Sequence, residues 1–583
     1  MPLPVQRKSI ALAGTAFLAL ALFHIPDFIF RHAFDKNASG QFFTLLLVSS
    51  AFAFVIASRT QSFNFRKLPI FGVIALVVAE IISLATSKNL WGSFIGDSGR
   101  FVGVASVIGL LTVSLFHARL NYQSFITLLR YYIAAIEIVS VIGIAQHFNL
   151  IELPGDQGVT STLGNTDFFA AFIATSFPLL ILVALELSRR GRLVIGFAAL
   201  VNIFALYLAG PLQGFLDIVF ILLAYLLFRA RRFIPRRDLT LNVRTFLGTF
   251  AVIIWAEFIF LMPFLGKAIP VLGNDVQVQI RGNFWLAGMK QFFDHPFTGV
   301  GPDNYGSYYE QYRTLEDVSK YTNIVSNDAH SASVQTFATL GILGVLAFLF
   351  LIAILIRSIL ILWDNRSVNR SALYFIGAYV FVYLTNSFIS PITITNKYLF
   401  WATAGVVIGW AYKKRVVDDS PKAMGVRVLG FGFSTLLLST AIIFGTAQIN
   451  YLTHIEKYAV SKTSTVDYQS APAMPCFMYF DAEMLMVAQA GDQRAISFAN
   501  QRLAKNPRCI AAELFLARMA VSVDDMKSLK PHIYRLMDLA PARSETISIG
   551  MYYANRAGDK NLAIRLEKVM QTLGLVYLPG KLG

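Results

Sequence analysis

Thirteen apolar stretches of membrane length recur along this chain, and any fold must give each of them a hydrocarbon environment. They cover residues 9–30, 41–58, 68–87, 101–118, 128–146, 168–187, 193–209, 212–228, 246–265, 334–356, 371–388, 399–412 and 428–448. A helix rises about 1.5 Å per residue, so about 20 residues cross a hydrocarbon layer about 30 Å thick. The chain is 56% hydrophobic and only 14% charged, where soluble domains carry about 25% charged residues. One large soluble core is therefore excluded. The expected fold is all-α: a polytopic membrane protein of about 13 transmembrane helices. The short segments 193–209, 212–228 and 399–412 carry the topology, because one span more or fewer inverts everything after it.

Basic residues then set the orientation. On such a chain the net charge of +16 speaks first of topology, not of nucleic acid. With the N-terminus in the cytoplasm, the short cytoplasmic connections hold 23 Lys and Arg and the short outer ones hold 5. Cytoplasmic loops are the ones enriched in Lys and Arg, so this orientation is the expected one. Arg7 and Lys8 ahead of the first apolar run resemble a signal peptide, but further spans follow at once, so the run is read as a retained first span. The loop 266–333 and everything beyond Gln448 are then expected outside the cytoplasm. The expected domains are a membrane part over 1–450 and an extracytoplasmic tail over 451–583.

The tail changes character, with charges spaced regularly among helix formers. RLAKNP ends at Pro507 and RLMDLAP at Pro541, a period of 34. AGDQRAI and AGDKNLAI, starting at Ala490 and Ala557, lie 67 apart, close to two such periods. A helix pair of about 34 residues closing in Pro has the tetratricopeptide period, and such pairs bury their apolar faces only by stacking. A generic helical bundle is the alternative. Cys476 and Cys509 are too few for a disulfide framework or a cysteine metal cluster. They are read as buried small residues, with a disulfide between equivalent repeat positions as the second possibility.

Chemistry is expected in the loop, which reads RGNFWLAGMKQFFDHPFTGVGPDNYGSYYEQYR from Arg281 and closes in NDAHSASVQTFATLGILG. Arg281 and Trp285 share a helical face at i and i+4. Trp favours the membrane interface, which would hold Arg281 at headgroup depth. Its planar fork suits phosphate, or it simply snorkels to headgroups. His330 stands just before the span that begins at Val334, either as a general base or as a polar helix cap. Asp328 either orients and tunes it or caps the helix. Gly299 and Gly301 make the tight turn between loop helices. Tyr305, Tyr308, Tyr309 and Tyr312 either stack on sugar rings or pack the loop against itself. No metal-ligand spacing, Ser-centred triad or phosphate-cradling glycine loop is visible.

The run R-x3-W, then HP-x2-GVGP-x-N-Y, then acidic-x-His before a helix containing LGILG, resembles the signature region of the O-antigen ligase and polymerase superfamily. WGSFIGDSGRFVG with Arg100, STLGNTDFFAAF with Asn165 and LYLAGPLQGF are similar to the family's upstream pattern. The likeness covers roughly 68–412. It implies a membrane glycosyltransferase of cell-surface polysaccharide synthesis, O-antigen ligase-like and working in the inner or plasma membrane. Such an enzyme moves glycan from an undecaprenyl-diphosphate carrier to an acceptor hydroxyl without cofactor, metal or nucleotide sugar. Arg281, with Arg100 as a second cation, would stabilise the diphosphate, and His330 would take the acceptor proton. At Gln213 the family has a Ser-Arg-Gly-like turn whose Arg contacts the diphosphate, so here one expected cation is missing. Asp217, one turn deeper, either faces a polar cavity or makes a plain interhelical hydrogen bond. The acceptor could be lipid, glycan or protein, which leaves ligase, polymerase and protein O-oligosaccharyltransferase open. A transporter or flippase is the different class, since Glu80, Glu137, Asp217 and Glu257 could line a pathway, but no repeat of the spans is visible. The tail would offer a docking surface to a protein partner or glycan.

Overall fold

The computed structural model describes residues 4–22, 36–58, 63–65, 67–97, 100–153, 158–230, 239–265, 275–322, 324–415, 421–461 and 494–575. In chain order its helices begin with α1 (Pro4–Leu22), α2 (Lys36–Ser58), α3 (Lys67–Thr86), α4 (Leu90–Ile95), α5 (Val104–His117), α6 (Tyr122–His147) and α7 (Thr166–Leu185). Next come α8 (Arg189–Ala209), α9 (Leu212–Ala230), α10 (Leu241–Leu261), α11 (Val276–Asp294), α12 (Gly306–Tyr312) and α13 (Leu315–Lys320). The last membrane-length helices are α14 (Ala332–Asn365), α15 (Arg370–Ile389), α16 (Ile394–Tyr412) and α17 (Pro421–Ser461). The tail carries α18 (Arg494–Lys505), α19 (Ile510–Ser522), α20 (Met526–Leu539), α21 (Ser544–Ala557) and α22 (Lys560–Leu573).

Each of the thirteen apolar stretches falls on a helix over most of its described length. Among the described residues, 9 helices are long and apolar enough to cross a membrane, and Lys8–Leu22, Val104–His117 and Gln213–Leu222 are shorter apolar helices. The sharp boundary between α8 and α9 is chemical: Gly210 caps α8 in the left-handed region (φ 85°), and Pro211 follows. The departure from helix is a three-residue antiparallel pair, β1 (Phe63–Phe65) with β2 (Lys413–Arg415).

By internal packing the chain forms two compact units, one of Met1–Val77, Ala105–Ala256 and Leu346–Thr446, the other of Val78–Val104, Glu257–Val345 and Ala447–Gly583. The loop and the tail share the second unit, and the division between Thr446 and Ala447 lies close to 450.

In the first unit α7 and α15 are the most enclosed spans, each 78% buried, and α7 packs on α6, α8, α9 and α15. Small residues set the closest approach. Gly405 and Gly409 form a G-x-x-x-G stripe on α16, and a Cβ at either would lie 2.2 Å from the carbonyl oxygen of Ser114 or Ala118, the close backbone contact this spacing allows. Intramembrane carboxylates are met by amides: Asn202 Nδ2 donates to Glu137 (2.8 Å) and Asn386 Nδ2 to Asp217 (2.7 Å). For Asp217 the interhelical hydrogen bond is the arrangement found, and such partners are what a carboxylate within the membrane requires.

Bonds between connections pair like with like. Trp410 Nε1 donates to Leu120 O (2.9 Å), Arg244 pairs with Asp364 (2.6 Å), and β1 meets β2. At the other ends of the helices Thr162 donates to Ala21 O (2.6 Å), and Thr395 to Leu20 O (3.2 Å). The alternation expected of the spans places both members of each pair on one side.

Candidate active site

The second unit is built around a break in α14. Gly341 leaves the helix with φ 62° and ψ −160°, and the backbone groups freed there are met by the Pro/Gly turn of the loop. Val300 and Gly301 donate their N–H groups to the carbonyls of Ala338 (2.9 Å) and Thr339 (3.1 Å), while Ile342 donates to Pro296 O (2.8 Å). Buried backbone groups need partners, and a broken helix near a membrane survives only where protein supplies them. A Cβ on Gly299 would stand 2.2 Å from the Thr339 carbonyl carbon, and one on Gly341 would stand 2.5 Å from that of Phe297. The glycines of GVGP and LGILG are thus two halves of one contact. The turn is made by the glycines as expected, but its docking into a helix break was not, although two glycines inside an apolar helical run are a signal of interruption.

Asp303, in the same turn at φ 51°, is 6% exposed. Its Oδ2 accepts from the backbone N–H of Asp97 (2.8 Å) and of Val102 (2.9 Å), which clasps the segment carrying Arg100. Gly96 (φ 108°) makes room for it, since a Cβ there would lie 2.6 Å from Asp303 Oδ2. The role was missed in the sequence because an Asp among Gly, Pro and Asn reads as an ordinary turn residue. Asp303→Ala orphans two buried amides at about 1–3 kcal/mol each. It should lower the thermal midpoint by several degrees, while Asp303→Asn, whose side-chain oxygen still accepts, stays near the parent. Equal midpoints for the two variants in a thermal melt would remove the clasp.

His330 begins the descent into α14. It is half-buried, with φ 54°, the left-handed region that costs a non-glycine residue about 1–3 kcal/mol and gathers at functional sites. Its backbone N–H donates to Asp328 Oδ1 (2.6 Å), and its Nδ1 lies 3.0 Å from Asp328 O and 3.3 Å from Ser326 Oγ. A carbonyl oxygen only accepts, so Nδ1 carries the proton and the basic lone pair belongs to Nε2. Asp328 therefore holds both the turn and the tautomer. Burial pushes the imidazole pKa down to about 4; the Asp328 charge raises it, and the Arg100 and Arg281 charges lower it further. Both guanidinium groups thus act electrostatically on one ring. Asp328 holds His330 by hydrogen bonds, and the charges of Arg100 and Arg281 reach the same ring.

Arg281 rides on α11, which Asp275 caps by accepting from Val278 N–H. The helix packs tightly on the start of α14: a Cβ at Gly288 would lie 2.5 Å from Val334 Cγ1. Instead of lying at an interface, Trp285 is 2% exposed and stacks on Phe260 at 5.8 Å. Tyr305 is fully buried and donates to Phe284 O (2.8 Å), and the Phe284 ring stands 5.0 Å from that of His330. Of its two readings, packing the loop is the one found, and a ring with no exposed surface is closed to a sugar. Asp317 ties the loop internally, accepting from Asn283 (2.9 Å), Tyr309 (3.2 Å) and Arg313 (2.8 Å). That buried pair had no signature in sequence beyond an Arg and an Asp four residues apart.

Gln213 belongs to the first unit. Its amide nitrogen donates to Asn386 and its oxygen accepts from Ser390 Oγ (2.8 Å), so an amide network leading to Asp217 stands where the family resemblance leads one to expect a cation. Asn165 is a helix cap, accepting from Asp167 N–H at 2.9 Å. Among the described residues no group of His, Cys, Asp and Glu could hold a metal ion. Cys509 is buried and disulfide-bonded, so it is not the reduced small residue first expected; Cys476 lies outside the described residues.

Among the described residues, nine helices long and apolar enough to cross a membrane fit a multi-pass helical membrane protein. Residues 197–349 match the family model described as O-antigen ligase, a span that includes Gln213, Arg281 and His330. Over that span the chain is similar to the O-antigen ligase domain. No curated protein matches the chain.

Proposed function

We propose that this protein transfers an oligosaccharide or polysaccharide from an undecaprenyl-diphosphate carrier to an acceptor hydroxyl on the outer face of the membrane. The observation that carries this reading is a loop histidine held at φ 54° with its Nδ1 tied to the Asp328 carbonyl, and the charges of Arg100 and Arg281 act on the same ring. The acceptor oxygen attacks the anomeric carbon, the bond from that carbon to the diphosphate oxygen breaks, and the acceptor proton passes to His330 Nε2. Arg281 and Arg100 neutralise the departing diphosphate.

A base with a pKa near 4 is weak, and the same geometry offers a remedy. An incoming diphosphate offsets the two arginine charges that depress the imidazole, so donor binding itself raises the basicity of His330. Gln213, in place of a family arginine, leaves the cation work to Arg281 and Arg100.

The disulfide at Cys509 favours an oxidising compartment, in keeping with an extracytoplasmic tail and loop. Helix starts at Ile510 and Ser544, one 34-residue period apart, favour a tetratricopeptide-like tail. The test is purified full-length protein given a synthetic polyprenyl-diphosphate glycan and candidate acceptors. Appearance of transferred glycan supports the reading and its linkage identifies the acceptor as lipid, glycan or protein; no transfer to any of them overturns it.

A further inference from the structure

Two tail arginines reach the same short helix of the loop. Each follows a repeat-closing proline, Arg508 in the connection before α19 and Arg543 in the connection before α21. The Arg508 guanidinium lies 3.5 Å over the Tyr308 ring, donates from Nε to Ser307 O (3.1 Å) and from Nη2 to Gln311 Oε1 (2.6 Å). Its own turn is fixed by Asn506, whose Oδ1 accepts from Arg508 N–H at 3.1 Å. Arg543 Nη1 donates to Glu310 Oε1 (3.0 Å), and Glu545 braces the same guanidinium at 3.2 Å. All four residues from Ser307 to Gln311 touched in this way sit on α12.

Helix α12 in turn borders the reacting histidine. Tyr305, at its entry, is hydrogen-bonded to Phe284 O on the Arg281 helix, and Phe284 faces His330. Tyr309 is tied to Asp317. Cation–π contact, two hydrogen bonds and an ion pair hold more firmly than a single exposed salt bridge.

We propose that the tail is a clamp acting within its own chain: Arg508 and Arg543 are positioning residues that hold α12, and through Phe284 they set His330 against Arg281. This rests on the glycan-transfer reading and adds that the tail sets the rate of that same site. A tail that merely docks a partner would leave the reaction of the purified enzyme untouched.

The experiment uses full-length protein carrying Arg508→Ala, Arg508→Lys, Arg543→Ala or Arg543→Lys. It measures kcat and donor KM for transfer, and amide hydrogen exchange over 305–312 and 326–331. Misplacement of a reacting group by about 1 Å costs about 100-fold, so each alanine variant should lose about 10- to 100-fold in kcat with donor KM nearly unchanged. Exchange should quicken in both segments. Arg543→Lys keeps the ion pair and recovers most of the rate, whereas Arg508→Lys loses the planar stacking and fork and does not. Parent-like kcat and slow exchange over 326–331 in the alanine variants would overturn the clamp. If the parent itself transfers nothing, the transfer reading fails, and the exchange data still decide whether the arginines reach His330.

Discussion

Replacing His330 by alanine is expected to lower kcat for glycan transfer by about 100- to 10,000-fold, the range a positioned general base supplies. Donor KM should change little, because on the proposed reading arginine holds the diphosphate. The pH profile is the sharper signature. The neutral imidazole is the active form, so activity is lost as pH falls through its pKa. Burial first, then the two arginine charges, bring that pKa to about 4 against an ordinary 6.5. The acid limb of kcat/KM, which reports the free enzyme, should therefore lie near 4. The limb of kcat, which reports the donor complex, should lie higher, because the bound diphosphate screens the arginines. Coincident limbs near 6.5 would remove His330 as the buried base.

Arg281→Ala is expected to cost about 100- to 1,000-fold in kcat, the loss that follows removal of one preorganised charge from a developing anion. Arg281→Lys should recover only part of it, since an ammonium restores charge without the two-point fork. Because the Arg281 charge lowers the His330 pKa, the alanine variant should also move the acid limb of kcat/KM upward. Asp328→Asn should move it the other way, since the Asp328 charge raises that pKa. Measured kcat with an unmoved limb in Arg281→Ala would separate this residue from the histidine and leave it a membrane anchor.

The helices were legible because apolar length is a local property. Each apolar run falls on a helix over most of its described length, including 399–412, which the structure extends to Ile394–Tyr412. That helix reads poorly by hydropathy because Thr395, Asn396 and Thr403 are buried among its neighbours. Arg281, His330 and Arg100 were singled out by a motif, and both arginine charges act on the His330 ring. What stayed hidden depends on contacts between distant segments. Asp303 clasps the backbone of Asp97 and Val102 some 200 positions away, and no periodicity in either segment announces it. Trp285 was misplaced because an aromatic at i+4 looks the same whether its partner is a headgroup or, as here, Phe260. The tail's arginines sat in plain view after each repeat-closing proline, but a repeat with basic turns reads equally as an outward-facing surface.

The break at Gly341 decides how this protein can be recombined. Residues 296–301 and 338–343 exchange backbone hydrogen bonds across the gap, so they are one inheritable piece although a whole loop separates them. A chimera that imports a relative's loop while keeping the native α14 would join turn and helix of different origin. Its crossover points belong before Pro296 and beyond Leu343, where no such bond is cut. Loop swaps drawn at the visible edges of the polar segment would sever the seam, and failure of those hybrids would reflect a torn joint in place of an incompatible substrate.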